Sequence, residues 1–218
     1  MSNEYYSNRR LDVQAILYRN ISKFSQESLF RILEIGCASG RLGADIKVKY
    51  SKVHYTGVDF NLDALDSARM KLDRVYHFDF NSDSLDNFRS LVGQDYDFII
   101  CADVLEHLID PLELVFYLHG MLKENGKMII SIPNIMHISI IKELVVNMDF
   151  EYKDSGILDK THLRFYTRKS FLRELNRGGL LKTFYYFQNG TKSKIFAFLF
   201  GRRFLNYFSR QIIYVVDK

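Results

Sequence analysis

Arg31-Ile32-Leu33-Glu34-Ile35 runs directly into Gly36-Cys37-Ala38-Ser39-Gly40-Arg41-Leu42-Gly43 and on into a stretch of helical period. A strand-length apolar run, a turn of small residues and a helix make one β-α step. Glycines in such a turn let backbone N–H groups approach a ligand at the carboxyl edge of the sheet, where open α/β sheets bind. The same rhythm repeats outward from this point. Strands are expected at Arg31–Ile35, His54–Val58, Arg74–Asp79, Asp97–Cys101 and Lys127–Ile132. Helices are expected at Arg41–Lys49, Leu62–Leu72, Leu85–Leu91 and Leu112–Leu122, the last opened by Asp110-Pro111. Strands alternating with helices predict a doubly wound, mostly parallel sheet covered on both faces. After Pro133 the rhythm changes: helices are expected at His137–Val146 and Thr167–Asn176 around an irregular Phe150–His162, and strands at Leu180–Phe187 and Gln211–Val216 finish the chain.

Composition bounds the answer. At 218 residues the chain makes one domain, with 30 basic against 26 acidic residues, a net charge of +4 and no basic stripe of the kind a nucleic-acid binder carries. Cys37 and Cys101 are the two cysteines, both in apolar runs. With no partner at metal spacing, they argue against a disulfide scaffold and against a zinc site, and suit a cytoplasmic compartment. Neither a signal pattern nor a membrane-length apolar run is legible. Four regions are expected: an N-terminal helical cap (1–30), a cofactor-binding core (31–134), an acceptor lid (135–176), and C-terminal strands (177–218) with a basic aromatic insert.

Two ligand classes suit the turn. A dinucleotide needs G-x-G-x-x-G, and Ala38-x-Gly40-x-x-Gly43 fails at its first glycine. Asp59, 19 residues beyond Gly40, has ribose spacing for either ligand. Glu34 decides between them: a carboxylate just before the turn repels a pyrophosphate but favours the cationic methionine end of S-adenosylmethionine.

The motifs now carry a resemblance. Glu34-Ile-Gly36-x-x-x-Gly40, Gly57-Val58-Asp59, Asp97 through Asp103-Val-Leu-Glu106-His107-Leu, and Leu122-Lys-x-x-Gly126 through Ile132-Pro133-Asn134 resemble, in order, those of class I S-adenosylmethionine-dependent methyltransferases. Gly156-Ile-Leu-Asp159-Lys-Thr161-His162-Leu-Arg164-Phe-Tyr166-Thr167 is similar to a small-molecule branch associated with bacterial glycosyltransferase and surface-polysaccharide genes. The resemblance implies a Rossmann-like seven-stranded sheet with its last strand antiparallel, and S-adenosylmethionine as cofactor. It further implies that Gly36, Ala38 and Gly40 meet the methionine moiety and that Asp59 accepts from both ribose hydroxyls. Phe60 would lie against the adenine, Asp79 would take its amino group, Phe80 would belong to the same cofactor site, and Ala102 and Asp103 would floor the methyl end. Ala38 departs from the pattern, which commonly has glycine there.

Transfer to a hydroxyl needs alignment and a base, and histidine titrates near neutrality. His107 and His162 are the catalytic candidates, both expected at the ligand edge. His107 either acts as base or shapes the loop before Asp110-Pro111; His162 either touches the acceptor or anchors the lid with Thr161, Arg164 and Tyr166. Asn134, His137, Arg164 and Tyr166 are expected to face the acceptor. Absent Asp/Asn-Pro-Pro-aromatic and Pro-Cys motifs argue against nucleic-acid bases. No metal is expected, since Asp103 with Glu106 is too few carboxylates. The expected function is methyl transfer to a hydroxyl of a small molecule, a sugar or surface-glycan precursor. A quinone or lipid O-methyltransferase, a cofactor-binding module without chemistry, and a nicotinamide dehydrogenase are the rivals. The 192–210 segment mixes phenylalanines with Lys192, Lys194, Arg202 and Arg203, and reads either as packing on the sheet or a mate, or as a membrane or lipid-carrier contact. The oligomeric state, monomer or homodimer, stays open.

Overall fold

The computed structural model describes residues 13–22, 29–187 and 205–218. The 192–204 part of the expected aromatic and basic insert, and residues 1–12 and 23–28 of the expected N-terminal cap, lie outside the described residues.

Helix α1 spans residues 13–21, inside the expected cap. Then follow β1 (Phe30–Ile35), α2 (Arg41–Lys49), β2 (Val53–Asp59), α3 (Leu62–Arg69), β3 (Arg74–His77), α4 (Leu85–Val92), β4 (Tyr96–Ala102), a 3-10 turn at Leu105–His107, α5 (Pro111–Gly120) and β5 (Leu122–Pro133). The chain continues through α6 (Ile138–Val145), α7 (Arg168–Arg177), β6 (Thr183–Phe187), α8 (Leu205–Phe208) and β7 (Gln211–Asp217). The seven strands form one sheet in the order β3-β2-β1-β4-β5-β7-β6. β1 to β5 are parallel, and β7 pairs antiparallel with both β5 and β6. This is the doubly wound, Rossmann-like sheet the sequence predicts.

Alternation along the strands divides the core. Leu33 and Ile35, Ile99 and Cys101, and Met128, Ile130 and Ile132 face α4, α5 and α7. Ile32, Phe98, Ile100 and Ile129 face α1, α2 and α3. Phe98–Cys101 in β4 and Met128–Ile130 in β5 are continuous apolar runs because both faces there are covered. Local signals place the helix starts: Asn61 accepts from Ala64 N, Ser84 from Asp86 N and Asp110 from Glu113 N, while Thr167 and Ser170 form a reciprocal capping box.

Several boundaries differ from expectation: α3 stops at Arg69 and not at Leu72, α5 stops at Gly120 and not at Leu122, and β6 begins at Thr183 and not at Leu180. β3 ends at His77 and not at Asp79, because the Asp79 amide leaves the ladder to donate to Asp83 Oδ2 at 2.8 Å. β5 begins at Leu122, which pairs with Tyr96 ahead of a register shift.

In this order the chain moves from β1 outward to β2 and β3, then returns to β4 on the other side of β1. The crevice between β1 and β4 is the switch point, where such sheets take their ligands.

Candidate active site

The turn after β1 has left-handed backbone at Gly36 (φ 72°), Ala38 (φ 45°) and Gly40 (φ 72°). The Gly36 and Cys37 amides donate to Val58 O at 2.8 and 3.1 Å. Ala38 N donates to Asp59 Oδ2 at 2.7 Å, and Asn61 N donates to Asp59 Oδ1 at 2.9 Å. Each carboxylate oxygen thus takes one amide, and a carboxylate offers about four acceptor positions. Asp59 is 7% exposed, whereas the next ring, Phe60, is 69% exposed. Phe60 is held by its backbone, since the His77 ring donates to its carbonyl at 2.9 Å. A buried carboxylate with acceptor capacity beside a presented aromatic face suits a ribose diol carrying a base.

Glu34 lies in β1 beneath the turn, buried, and accepts the Tyr55 hydroxyl at 2.9 Å. Burial first, and then the charge of Glu34, push the Cys101 thiol well above its ordinary range, so this cysteine is no nucleophile. Asp79 Oδ1 accepts from Asn81 N at 2.9 Å. Phe80 packs on Phe78 and Phe88, with ring centroids 4.8 and 5.0 Å away. Ala102 ends β4 half-buried. Asp103, with φ 58°, accepts from Gln211 Nε2 and, at 3.4 Å, from Ser131 Oγ, which ties β4 to its neighbours.

The β4 loop seats directly on the glycine turn. A Cβ at Gly36 would stand 2.4 Å from Val104 Cγ2, so the two segments touch only because residue 36 has no side chain. The next residues, Leu105–His107, form the 3-10 turn. Against it lies the 157–164 loop: Leu163 N and Arg164 N both donate to Glu106 O, at 2.7 and 3.1 Å. This docking brings the His107 and His162 rings to 4.8 Å between centroids, inclined 73°. His162 Nε2 stands 4.0 Å from Glu106 Oε1, with both side chains buried. Ligand atoms of Glu106, His107 and His162 lie within 4.8 Å of one another. The sequence put both histidines at the ligand edge but left Glu106 out of the site. Its signal was Asp103-x-x-Glu106-His107, in which a 3-10 turn swings Glu106 inward.

The expected acceptor residues divide. Asn134 is fully buried, and its amide nitrogen donates to Asn206 O and Ser209 O at 2.6 and 2.8 Å. Both of its hydrogens are thereby committed to backbone, a fold-holding arrangement. His137 caps α6, its Nδ1 accepting from Ser139 N at 3.2 Å; burial and then the Arg210 charge push its pKa down to about 4. Arg164 donates through Nε to Ile109 O at 3.1 Å. Tyr166 bridges to Asn134 and stacks edge-on to Phe171 at 5.0 Å, and burial raises its hydroxyl pKa. A cleft of about 240 Å³ between α6 and the 153–158 loop is lined by Ser139, Lys153, Ile157 and Arg210 among others.

A switch-point crevice with a glycine turn on one side and a carboxylate ending β2 on the other defines a Rossmann-like cofactor-binding domain. A family model described as a methyltransferase domain matches residues 7–182, and the chain belongs to that family, an S-adenosylmethionine-dependent methyltransferase of class I. A search of curated proteins found no match. Among solved structures the chain is similar to a SAM-dependent methyltransferase from Archaeoglobus fulgidus, at 19% identity and TM-score 0.63, covering 96% of this chain and 94% of that one. It is also similar to the plantazolicin methyltransferase BamL, solved with a triazolic desmethylPZN analog and SAH, at 16% identity and TM-score 0.67, covering 100% and 87%. A possible histamine N-methyltransferase from Thermotoga maritima matches at 15% identity and TM-score 0.60, covering 100% and 96%. At these identities the likeness is one of fold.

Proposed function

We propose that this methyltransferase acts on a hydroxyl oxygen of a small molecule, with a sugar of a surface-glycan precursor as the acceptor class. The observation that carries the reading is the meeting of His107, His162 and Glu106, with Glu106 two residues beyond the Val104 contact with the glycine turn. S-adenosylmethionine supplies a methyl already activated on a sulfonium, so the protein's work is alignment and removal of the acceptor's proton.

In this reading Gly36, Ala38 and Gly40 present backbone to the methionine end, and Asp59 accepts from the ribose hydroxyls. Phe60 covers one adenine face, with Asp79 at its edge and Phe80 holding Phe78 and the strand end in place. Glu34 fixes the turn from below through Tyr55 and adds negative charge near the sulfonium. Ala102 and Asp103 floor the methyl end. The pair of imidazoles with a buried carboxylate supports oxygen as the accepting atom, because a hydroxyl must lose its proton as the new bond forms and near neutral pH it does so only with help from a nearby group. Arg164 and Tyr166 border the acceptor through the docked loop, and Asn134 holds the chain behind them.

A second reading, transfer to a lipid or quinone hydroxyl, is favoured by one observation. The end of α6 and the segment after it expose Val145, Val146, Met148, Phe150 and Tyr152, at 68, 67, 88, 43 and 50%. Contiguous exposed apolar residues suit an apolar partner.

The test is mass spectrometry of acceptor pools incubated with methyl-deuterated S-adenosylmethionine: sugar nucleotides, lipid-linked saccharides, phenols and amines. A labelled sugar ether carries the reading. Label on an amine nitrogen overturns it, and label on a phenol or quinol alone moves it to the second reading. His107→Asn is expected to cut turnover on the order of 100-fold while S-adenosylhomocysteine binding is unchanged.

A further inference from the structure

We propose that Glu106, His107 and His162 bind one divalent transition-metal ion of the zinc class, and that this ion activates the acceptor oxygen; the second half rests on the O-methyl reading above, the first half does not. Two imidazoles and one carboxylate form a donor set suited to zinc or cobalt and not to magnesium or calcium, which take oxygen shells.

The ring tautomers are set by what the other nitrogens touch. His162 Nδ1 lies 2.9 Å from Ile157 O, and a carbonyl only accepts, so Nδ1 carries a hydrogen, which in the neutral ring puts the lone pair on Nε2. That Nε2 faces Glu106. His107 Nδ1 lies 3.2 Å from Thr161 O and 3.1 Å from Thr161 Oγ1. The Thr161 hydroxyl spends its own hydrogen on Asp159 Oδ1 at 2.7 Å, so it too accepts from His107. Both histidines therefore donate Nδ1–H to fixed oxygens, and each neutral ring turns its electron pair, on Nε2, away from them. Histidines that ligate metal are oriented in this way by carbonyl and carboxylate partners behind them.

The spacing also speaks for an ion. An ionic histidine–carboxylate hydrogen bond closes to roughly 2.7–2.9 Å. Here His162 Nε2 and Glu106 Oε1 stand 4.0 Å apart, and the whole ligand set spans 4.8 Å. Ligand atoms around a tetrahedral ion with bonds of about 2.0–2.1 Å lie roughly 3.3 Å from one another. Small rotations of three side chains close the set. Their backbones are already joined, because Glu106 O takes the amides of Leu163 and Arg164. Asp103 is excluded as a fourth ligand by its bonds to Gln211 and Ser131. Three protein ligands leave the fourth position open, the arrangement of a catalytic zinc. His107, the half-buried member, borders that position. A hydroxyl placed there has its pKa lowered by the ion and gives its proton to solvent.

The test is titration of chelator-treated full-length protein with Co²⁺, read by visible absorption, and with Zn²⁺, read by calorimetry. S-adenosylhomocysteine binding is measured on every sample. One ion per chain at micromolar affinity or tighter is expected. His107→Ala and His162→Ala should each weaken it on the order of 100-fold, and Thr161→Val, which removes an orienting acceptor without touching the ion, about 10-fold. Circular dichroism and S-adenosylhomocysteine binding establish that these variants are folded. Affinity weaker than about 100 µM, or equal affinity in wild type and both histidine variants, overturns the proposal. If stoichiometric metal binding is seen without S-adenosylhomocysteine binding in any form, the cofactor reading fails and the metal site stands.

Discussion

The Asp59 carboxylate accepts the backbone N–H of Ala38 at 2.7 Å, so the residue that ends β2 holds the turn that ends β1. Left-handed backbone at a non-glycine residue costs about 1–2 kcal/mol, and this hydrogen bond to an ionised oxygen offsets it. Ala38 is tolerated at the turn for that reason.

Asp59→Asn keeps the shape but puts an NH₂ where two amides and the ribose hydroxyls need acceptors. Calorimetric titration should show S-adenosylhomocysteine affinity reduced at least 10-fold, with Tm lowered by a few degrees from loss of about 1–3 kcal/mol. Unchanged affinity would remove Asp59 from the site.

Phe60→Ala separates binding from folding. A core phenylalanine costs about 3–5 kcal/mol when truncated, whereas a ring 69% exposed contributes little to stability. Tm should hold while affinity for the cofactor product falls about 10-fold, the scale of base–aromatic stacking. A Tm drop with unchanged affinity would make Phe60 a packing residue.

Gly36→Ala should destabilise by about 2–4 kcal/mol in urea unfolding, from the left-handed φ and from collision with Val104 Cγ2. Adding Val104→Ala removes the colliding methyl, so the double variant should recover part of that loss. Strict additivity of the two single losses would show that the residues do not touch.

His137 gives the fold an acid-side weakness. Its folded pKa of about 4 lies below the unfolded value near 6.5, so the neutral form is favoured in the native state. The associated stability is present above pH 6.5 and is lost as pH falls toward 4, with about 2 kcal/mol gone by pH 5. His137→Asn keeps an N-cap acceptor and does not titrate. The difference in unfolding free energy between pH 7 and pH 5 should shrink by roughly that amount in the variant; an equal difference in both proteins would place the effect elsewhere.

The parallel core was legible because its central strands, β1, β4 and β5, are mainly apolar on both faces, and α2 came out at its expected bounds because the glycine turn and the 3.6-residue period agree there. β3 was misjudged by two residues because its end is set by Asp83, whose reach back to the Asp79 amide has no period. The acceptor-side residues were harder. Asn134 sits in a suggestive Pro-Asn pair, yet its amide is consumed by carbonyls of residues 206 and 209, a contact that closes only when β7 pairs with β5.

What could be read from residue order alone was the alternation of strand and helix, the turn at Gly36 to Gly40 and the carboxylate ending β2, since all of these depend on neighbours a few positions apart. The Glu106, His107 and His162 cluster belongs to the folded chain. Its members are brought together by two amides donated across the loops to Glu106 O and by a valine resting on a glycine. Hydrogen bonds and contacts between distant segments leave no periodic trace, so only packing could reveal which histidine faces which carboxylate.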